Sequence, residues 1–224
     1  MKKLKIFLFT IIMASTLCFA MPAKANMAAP DDNSLVSTIC FEKNNDLSVI
    51  SEVLDIEIAG AMANIKATYN MKNNKNYDVF SDSMFISPNI EGIETKVLFG
   101  GEKLNYEAKS YALNNATKLE VEDWMLVPVN EYEDNAQFGK VDTISFNLNF
   151  KPNEEKCVEV SYTYRLGGYP TRTDHYKYGI IEYYLKPASM WNDFNDLTIN
   201  LKLDEDMPVI KKSNLKFEKV GKLE

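Results

Sequence analysis

Two stretches in the second half of the chain alternate strictly between apolar and polar residues. The apolar positions are Ile144, Phe146, Leu148 and Phe150 in the first stretch and Val158, Val160, Tyr162 and Tyr164 in the second. Alternation with a period of two places all the apolar side chains of a β-strand on one of its faces. Pro152 and Asn153 lie between the stretches and favour a turn. The pattern therefore predicts a half-buried β-hairpin over residues 144–165, with one dry face and one wet face.

The same alternation recurs along the chain. The clearest examples are residues 47–58, with Leu54, Ile56 and Ile58 in one phase, and residues 61–72, with Ala63, Ile65, Ala67, Tyr69 and Met71 in one phase. Further strand candidates are residues 35–41, 79–86, 178–185, 197–203 and 209–220, whereas residues 26–33 are predicted to be a mobile leader. Gly60 marks a turn. Gly100 and Gly101 predict a tight hairpin, because two glycines permit the positive φ angles of two-residue turns.

These strands determine the expected fold class. No segment repeats its apolar residues at spacings of three and four, so the chain predicts at most a short helical turn. Many short strands with one apolar face each are typical of two sheets packed face to face. We therefore expect an all-β protein, an antiparallel β-sandwich of roughly ten to twelve strands.

The N-terminus has the three parts of a secretory signal peptide. Lys2, Lys3 and Lys5 precede an apolar run over residues 6–20, and Ala23-Lys24-Ala25 supplies a small-x-small cleavage site. The alternative is an uncleaved membrane anchor, but the run is short for a spanning helix. We expect residues 1–25 to be removed, and residues 26–224 to form a single β-sandwich domain that is secreted or held in the cell envelope.

The charge of the chain excludes some partners. The formal net charge is −7, and the expected signal peptide holds four lysines and no acidic residue, so the mature chain is more acidic still. An acidic chain is repelled by nucleic acid and by anionic membranes. No other apolar run is long enough to span a membrane. The abundance of Lys, Asn and Ile is typical of a bacterial protein.

Two cysteines remain after the expected cleavage, Cys40 and Cys157. An isolated pair in an exported protein suggests a disulfide. Both cysteines, however, lie in the less apolar phase of their predicted strands. A bridge between Cys40 and Cys157 and a pair of free thiols therefore remain as alternatives.

The chain lacks the usual catalytic and cofactor motifs. His175 is the one histidine, and its neighbour Asp174 is poorly placed to orient it. Three scattered His and Cys residues make a poor zinc site, and no glycine loop has the spacing of a phosphate-binding loop. We therefore predict no metal and no cofactor. The acidic clusters at residues 120–123, 131–134 and 204–206 leave a structural calcium ion open.

The most unusual local composition is the tyrosine-rich stretch 162–191. Tyr162, Tyr164 and one of Tyr183 or Tyr184 are assigned to the core. The candidate binding residues are Tyr169, Arg172, His175, Tyr176 and Tyr178. Exposed aromatic rings offer a large contact area with a polar tip, so they can anchor a protein partner or stack on a sugar.

Several short motifs resemble a group of uncharacterised exported bacterial proteins whose β-sandwich is distantly similar to the vault/inter-alpha-trypsin domain. The motifs are Ala67-Thr-Tyr69-Asn-Met71-Lys-Asn73, Phe85-Ile-Ser-Pro88, Tyr183-Tyr-Leu185-Lys-Pro187 with Trp191, and Ser213-Asn-Leu215-Lys-Phe217. The resemblance implies a sandwich fold and an envelope or extracellular setting, and it assigns no functional residues. Members of such groups often continue with further strands and a membrane segment, which implies that the domain is truncated at its C-terminal end.

These patterns favour an exported, non-enzymatic β-sandwich that binds a protein or a cell-envelope component. The first alternative is a carbohydrate-binding module, which would use the same aromatic residues. A carboxylate-dependent hydrolase is a further alternative, and it requires two carboxylates that face each other across a pocket.

Overall fold

The computed structural model describes residues 27–33, 38–42, 44–87, 90–114, 125–128, 139–171, 176–183 and 190–219. The described residues are essentially all-β, with almost no helix, which confirms the predicted fold class. The strands are β1 (Met27–Asn33), β2 (Thr38–Glu42), β3 (Leu47–Ala59), β4 (Met62–Asn73), β5 (Val79–Ser87), β6 (Ile90–Phe99), β7 (Glu102–Lys103), β8 (Glu107–Asn114), β9 (Met125–Pro128), β10 (Gly139–Phe150), β11 (Glu155–Arg165), β12 (Gly167–Tyr169), β13 (Tyr178–Ile180) and β14 (Leu197–Lys202).

The strands form two large sheets and one small one. Sheet I has the order β1-β2-β9-β8-β10-β5, and β1 pairs with both β2 and β5. Sheet II has the order β14-β3-β4-β11-β6-β7, and β12 pairs with β13. Neighbouring strands are antiparallel except β14, which runs parallel to β3.

The core lies between sheets I and II. All eight apolar positions of the two alternating stretches are buried there, as their alternation predicts. The ring of Phe85 in β5 contacts that of Tyr162 in β11 edge to face, at 5.2 Å between centroids. Phe99 in β6 and Phe150 in β10 make a similar contact at 5.0 Å. Each large apolar side chain buried in this way stabilises the fold by roughly 1.5–3 kcal/mol.

The predicted hairpin over residues 144–165 is wrong in its pairing. β10 pairs with β5 and β8 in sheet I, whereas β11 pairs with β4 and β6 in sheet II. Residues 151–154 therefore form an arch that crosses from one sheet to the other. Asn153 has a positive φ of 57° there, and the buried Asn73 donates a hydrogen bond to the carbonyl oxygen of Lys151. A hairpin and an arch between two sheets produce the same alternation. A period of two shows which face of a strand is buried, but it does not show which strand lies next to it.

The glycine turns agree with the sequence. Gly100 and Gly101 both have positive φ, at 61° and 86°, and they join β6 to β7. Gly60, with a φ of 62°, lies in the turn between β3 and β4.

Three boundaries differ from the prediction. Residues 27–33 of the expected leader form β1 instead: the buried Met27 pairs with Phe85, and its carbonyl oxygen accepts a hydrogen bond from Trp191 Nε1. Of the predicted strand over 178–185, residues 178–180 form β13 and residues 181–183 form no strand, whereas residues 184 and 185 lie outside the described residues. The run predicted over 209–220 forms no strand in residues 208–219, which are exposed there.

No helix among the described residues has the length and apolar character needed to cross a membrane.

Candidate functional site

Three tyrosines predicted to be exposed lie on or beside the small sheet. Tyr169 ends β12 and is paired with Tyr178, which begins β13. Tyr176 lies two residues before the start of β13. Their exposed fractions are 53% for Tyr169, 81% for Tyr176 and 41% for Tyr178. We call β12, β13 and Tyr176 the aromatic hairpin. It presents three large aromatic side chains to solvent within one short piece of chain.

Glycines determine how these rings are presented. Gly168 has a φ of +81°, and a Cβ atom there would lie 2.8 Å from the ring of Tyr178. The ring of Tyr178 therefore rests directly on the backbone of β12, where only glycine fits. The rings of Tyr169 and Tyr178 meet edge to face, with centroids 5.2 Å apart and planes at 79°. A Cβ atom on Gly179 would lie 2.8 Å from the buried Leu166. Gly179 therefore lies against Leu166, which belongs to the core, whereas the rings of Tyr169, Tyr176 and Tyr178 are exposed.

Polar contacts attach the aromatic hairpin to one end of the sandwich. Lys177 forms an ion pair with Asp206, and Asp204 accepts a hydrogen bond of 2.7 Å from the backbone N–H of Gly60. Hydrogen bonds from the backbone N–H groups of Asp206 and Gly60 lower the pKa of Asp204. The hairpin is therefore connected to the turn between β3 and β4 through residues 204–206.

The remaining sequence-predicted site residues are not brought into this surface. Arg172 and His175 lie outside the described residues. Cys157 is a free, exposed thiol on the wet face of β11, so the bridge to Cys40 is not formed in this structure. Cys40 belongs to β2 of sheet I and its side chain is outside the described part of the chain. Burial, and then the neighbouring Glu159, raise the pKa of Cys157, so its thiolate is disfavoured.

A second group of residues, which the sequence analysis missed, lies in the core. Glu52 of β3 is only 1% exposed, and the hydroxyl of Tyr183 donates a hydrogen bond to its Oε1. The hydroxyl oxygens of Tyr183 and Tyr69 are 3.3 Å apart. Tyr69 of β4 is the cross-strand partner of Glu52. Glu52 Oε2 is buried without a hydrogen-bond partner among the described residues. We call Glu52, Tyr69 and Tyr183 the buried acid cluster.

Burial controls the protonation of this cluster. It raises the pKa of Glu52 to about 8, although hydrogen bonds from Tyr183 and then Tyr69 act in the opposite direction. Burial also raises the pKa of both tyrosines well above its usual range. Glu52 is therefore mostly a neutral carboxylic acid at pH 7, and the two hydroxyls stay protonated.

The sequence contains one signal for the burial of Glu52. Glu52 stands two residues before Leu54, in the apolar phase of β3, where a charged residue is unexpected. A bulge between Val49 and Ser51 brings Glu52 into the same inward face as the residues before the bulge. The alternation placed Tyr69 in the apolar phase of its strand, and one of Tyr183 or Tyr184 was expected in the core, but nothing in the sequence joins either tyrosine to Glu52.

No metal site is found in the described ranges, where no three His, Cys, Asp or Glu side chains are grouped to hold an ion. The acidic clusters at 120–123 and 131–134 lie outside those ranges. In the remaining cluster, at residues 204–206, Asp204 accepts hydrogen bonds from the backbone N–H groups of Gly60 and Asp206, and Asp206 forms an ion pair with Lys177.

No known protein family model and no curated protein matches this chain. Among solved structures, the chain is similar to a Legionella pneumophila protein described as a "putative nutrient binding protein", with a TM-score of 0.46 and 14% identity. The match covers 74% of this chain and 51% of that one, so this chain spans about half of its length. A second similar structure is yeast LTA4 hydrolase in complex with bestatin, at a TM-score of 0.28 and 11% identity, over 53% of this chain and 14% of that chain. Neither likeness carries an argument about function, and the vault/inter-alpha-trypsin resemblance stays a prediction.

Proposed function

We propose that this chain is an exported, non-enzymatic β-sandwich that binds a protein of the cell envelope through the aromatic hairpin. The observation that supports this proposal is the exposure of Tyr169, Tyr176 and Tyr178 on one glycine-backed hairpin. Tyrosines on a rigid support lose little side-chain entropy when they bind, and they are enriched among the residues that dominate interface energies. The ring contact between Tyr169 and Tyr178 orders two of the three before any partner arrives.

The ring geometry favours a protein over a carbohydrate. A sugar ring stacks on a flat platform, but the planes of Tyr169 and Tyr178 are 79° apart, so the pair offers one face and one edge. Such an uneven surface suits side chains of different shapes, which can fill the angle between the two rings. A carbohydrate-binding module remains the second candidate, through the more exposed Tyr176 alone.

The hydrolase alternative has less support in the described residues. Glu52 has the raised pKa expected of a catalytic acid, but it is buried and its partners are tyrosine hydroxyls rather than a second carboxylate. A substrate does not reach it in this conformation.

A sedimentation assay with bacterial cell-envelope fragments tests the proposal. The protein is mixed with the fragments, and the bound fraction is measured after centrifugation. We expect Tyr169→Ser, Tyr176→Ser and Tyr178→Ser, combined in one variant, to weaken binding at least about tenfold, because each lost anchor costs on the order of 1 kcal/mol or more. Tyr77→Ser is the matched control, since Tyr77 is as exposed as Tyr169, at 53%, but lies elsewhere on the surface.

Treatment of the fragments distinguishes the candidate partners. Protease digestion of the fragments should abolish binding if the partner is a protein, whereas glycan-degrading enzymes should leave it unchanged. The opposite pattern, together with hits on a glycan array, would establish the carbohydrate alternative. Equal binding by the triple variant and the Tyr77 control would refute the aromatic hairpin as the binding surface.

A further inference from the structure

Residues 208–219, which we call the basic segment, lie beyond β14 and form neither strand nor helix. Every residue of the segment is exposed. Within the part of the chain that the structure describes, its one hydrogen bond runs from the backbone N–H of Leu215 to the Oγ of Ser213, at 3.0 Å. The basic segment can therefore adapt its shape to a partner without breaking contacts with the sandwich.

Four large apolar side chains of the basic segment are exposed to water. They are those of Val209, Ile210, Leu215 and Phe217. Their exposed fractions run from 37% for Phe217 to 75% for Val209. A cluster of large apolar side chains in water is typical of a surface that a partner covers.

The same segment carries a positive charge in an acidic chain. Its four lysines and one glutamate, which give it a formal charge of +3 against −7 for the whole chain, are Lys211, Lys212, Lys216, Lys219 and Glu218. None of these lysines forms an ion pair with a described residue, whereas lysines of the sheets pair with neighbouring carboxylates. The positive charge of the basic segment is therefore left for a partner.

The acidic residues next to the basic segment are engaged elsewhere. Asp204 accepts hydrogen bonds from the backbone N–H groups of Gly60 and Asp206, and Asp206 forms an ion pair with Lys177. Exposed charges further apart than the Debye length, about 8 Å at physiological ionic strength, are largely screened from each other. A surface that contacts the basic segment therefore responds mainly to its lysines, although the chain as a whole is acidic.

We propose that the basic segment binds the surface of a lipid bilayer that contains anionic phospholipids. The lysines contact the phosphate groups, and the apolar side chains enter the boundary between the headgroups and the acyl chains. The aliphatic stem of each lysine lies along the apolar layer while its ammonium group stays at the phosphates.

The combination of residues favours a bilayer over a soluble polyanion. A polyanion would satisfy the lysines alone, but Ile210, Leu215 and Phe217 require an apolar layer beside the negative charge. A bilayer presents both, and it imposes no particular shape on a segment that has no strand or helix of its own. This binding is separate from the protein binding proposed for the aromatic hairpin.

Sedimentation with lipid vesicles tests the proposal in the absence of any protein partner. The purified protein, without its expected signal peptide, is centrifuged with vesicles of phosphatidylcholine alone or of phosphatidylcholine and phosphatidylglycerol in equal parts. We expect the partition coefficient to be at least about tenfold higher with phosphatidylglycerol. It should fall at least about tenfold when the ionic strength is raised from about 0.1 M to about 1 M, because the Debye length shortens from about 10 Å to about 3 Å.

Two variants separate the charged contacts from the apolar ones. The lysine variant combines Lys211→Gln, Lys212→Gln, Lys216→Gln and Lys219→Gln. It should bind the anionic vesicles at least about tenfold more weakly, because each lysine near such a surface contributes about fivefold. The serine variant combines Ile210→Ser, Leu215→Ser and Phe217→Ser, and it should also lose about tenfold, because the apolar contacts are removed. Circular dichroism checks that both variants keep the fold.

A matched control changes the net charge by the same amount elsewhere on the surface. It combines substitutions of four lysines that form ion pairs outside the basic segment, Lys66→Gln, Lys72→Gln, Lys109→Gln and Lys151→Gln. The control should bind within about twofold of wild type, because its substitutions lie away from the contact. Equal losses in the lysine variant and the control would overturn the proposal.

The remaining outcomes identify other partners. Equal binding to both kinds of vesicle, or to neither, would overturn the proposal and leave an acidic protein as the partner. Sedimentation without vesicles that is lost in the lysine variant would overturn it in favour of a second copy of this chain. The triple variant of Tyr169, Tyr176 and Tyr178 should still bind the vesicles. The lysine variant, used with the envelope fragments, measures binding through the aromatic hairpin without the lipid contribution, so the two proposals can fail separately.

Discussion

Tyrosines of β11 and of the aromatic hairpin have opposite environments although they are close in sequence. Tyr162 and Tyr164 are buried in the core, whereas Tyr169 and Tyr178 are exposed. β11 is paired on both sides and faces sheet I across the core, but β12 pairs only with β13 among the described strands. A tyrosine is therefore buried when another layer covers its face of the sheet, and it becomes available for binding when none does. Residue type alone does not decide between the two outcomes.

The largest expected effect comes from a charge placed in the core. Leu148→Asp, or Val160→Asp, should prevent folding, because an unpaired buried charge costs several kcal/mol against a typical net stability of about 5–15 kcal/mol. Tyr169→Asp in the aromatic hairpin should leave the fold intact. Circular dichroism and size-exclusion chromatography measure both. A folded Leu148→Asp variant would contradict the assignment of this face to the core.

The next largest effect is the pH dependence of the free energy of unfolding that Glu52 causes. The pKa of Glu52 is raised from 4.5 to about 8 in the folded protein, so the folded state binds more protons than the unfolded state between these values. The free energy of unfolding should therefore fall as the pH rises from about 4.5 to about 8 and then level off, by at most about 5 kcal/mol. Urea denaturation at several pH values measures it.

Glu52→Gln is the control for this pH effect. Other carboxylates titrate equally in both proteins, so the difference between wild type and variant isolates the contribution of Glu52. If the two stability curves ran parallel between pH 4.5 and pH 8, Glu52 would not be the group responsible.

A smaller effect distinguishes two glycines with similar backbone angles. Gly168 and Gly101 have φ values of +81° and +86°, so alanine at either position should cost about 1–2 kcal/mol of left-handed strain. A Cβ atom at Gly101 meets nothing within 4 Å, whereas one at Gly168 collides with Tyr178. Gly168→Ala alone should therefore alter the near-ultraviolet circular dichroism of the tyrosines and weaken envelope binding. Identical aromatic spectra in the two variants would argue against the ring position described for Tyr178.

The smallest expected effect concerns the arch between β10 and β11. Asn153 has a φ of 57°, which asparagine tolerates better than most residues and glycine tolerates best. Asn153→Ala should lower the free energy of unfolding by about 1 kcal/mol, and Asn153→Gly should change it by less than about half that amount. Urea denaturation of the two variants measures the difference. A larger loss in the glycine variant would show that the side chain of Asn153, rather than its backbone angle, stabilises the arch.

Local patterns were sufficient for much of the fold. The alternation over residues 144–164 and 63–71 placed every apolar side chain on the correct face, and Gly100 with Gly101 correctly marked a hairpin. The exposure of Tyr169, Tyr176 and Tyr178 also agrees with the sequence analysis. These features depend on a few neighbouring residues, because the pleat of a strand and the φ angles of a turn are local properties.

The pairing of the strands and the buried acid cluster could not be predicted from local sequence patterns. Residues 151–154 have the composition of a hairpin turn, yet they connect two different sheets. The reason is that β10 pairs with β5 and β11 pairs with β4, instead of with each other. Residues 27–33 of the predicted leader form a strand, in which Met27 pairs with Phe85. Each outcome depends on segments far away in the sequence.

The sequence by itself determined which side chains are dry, where the chain turns and that the protein is acidic. The tertiary structure decided which strands are neighbours and which polar groups meet inside. Glu52 and Tyr183 show this most clearly, since 131 residues separate them and one hydrogen bond joins them. The physical reason is that alternation is set by the geometry of a single strand, whereas the partner of a buried group is set by the packing of two sheets.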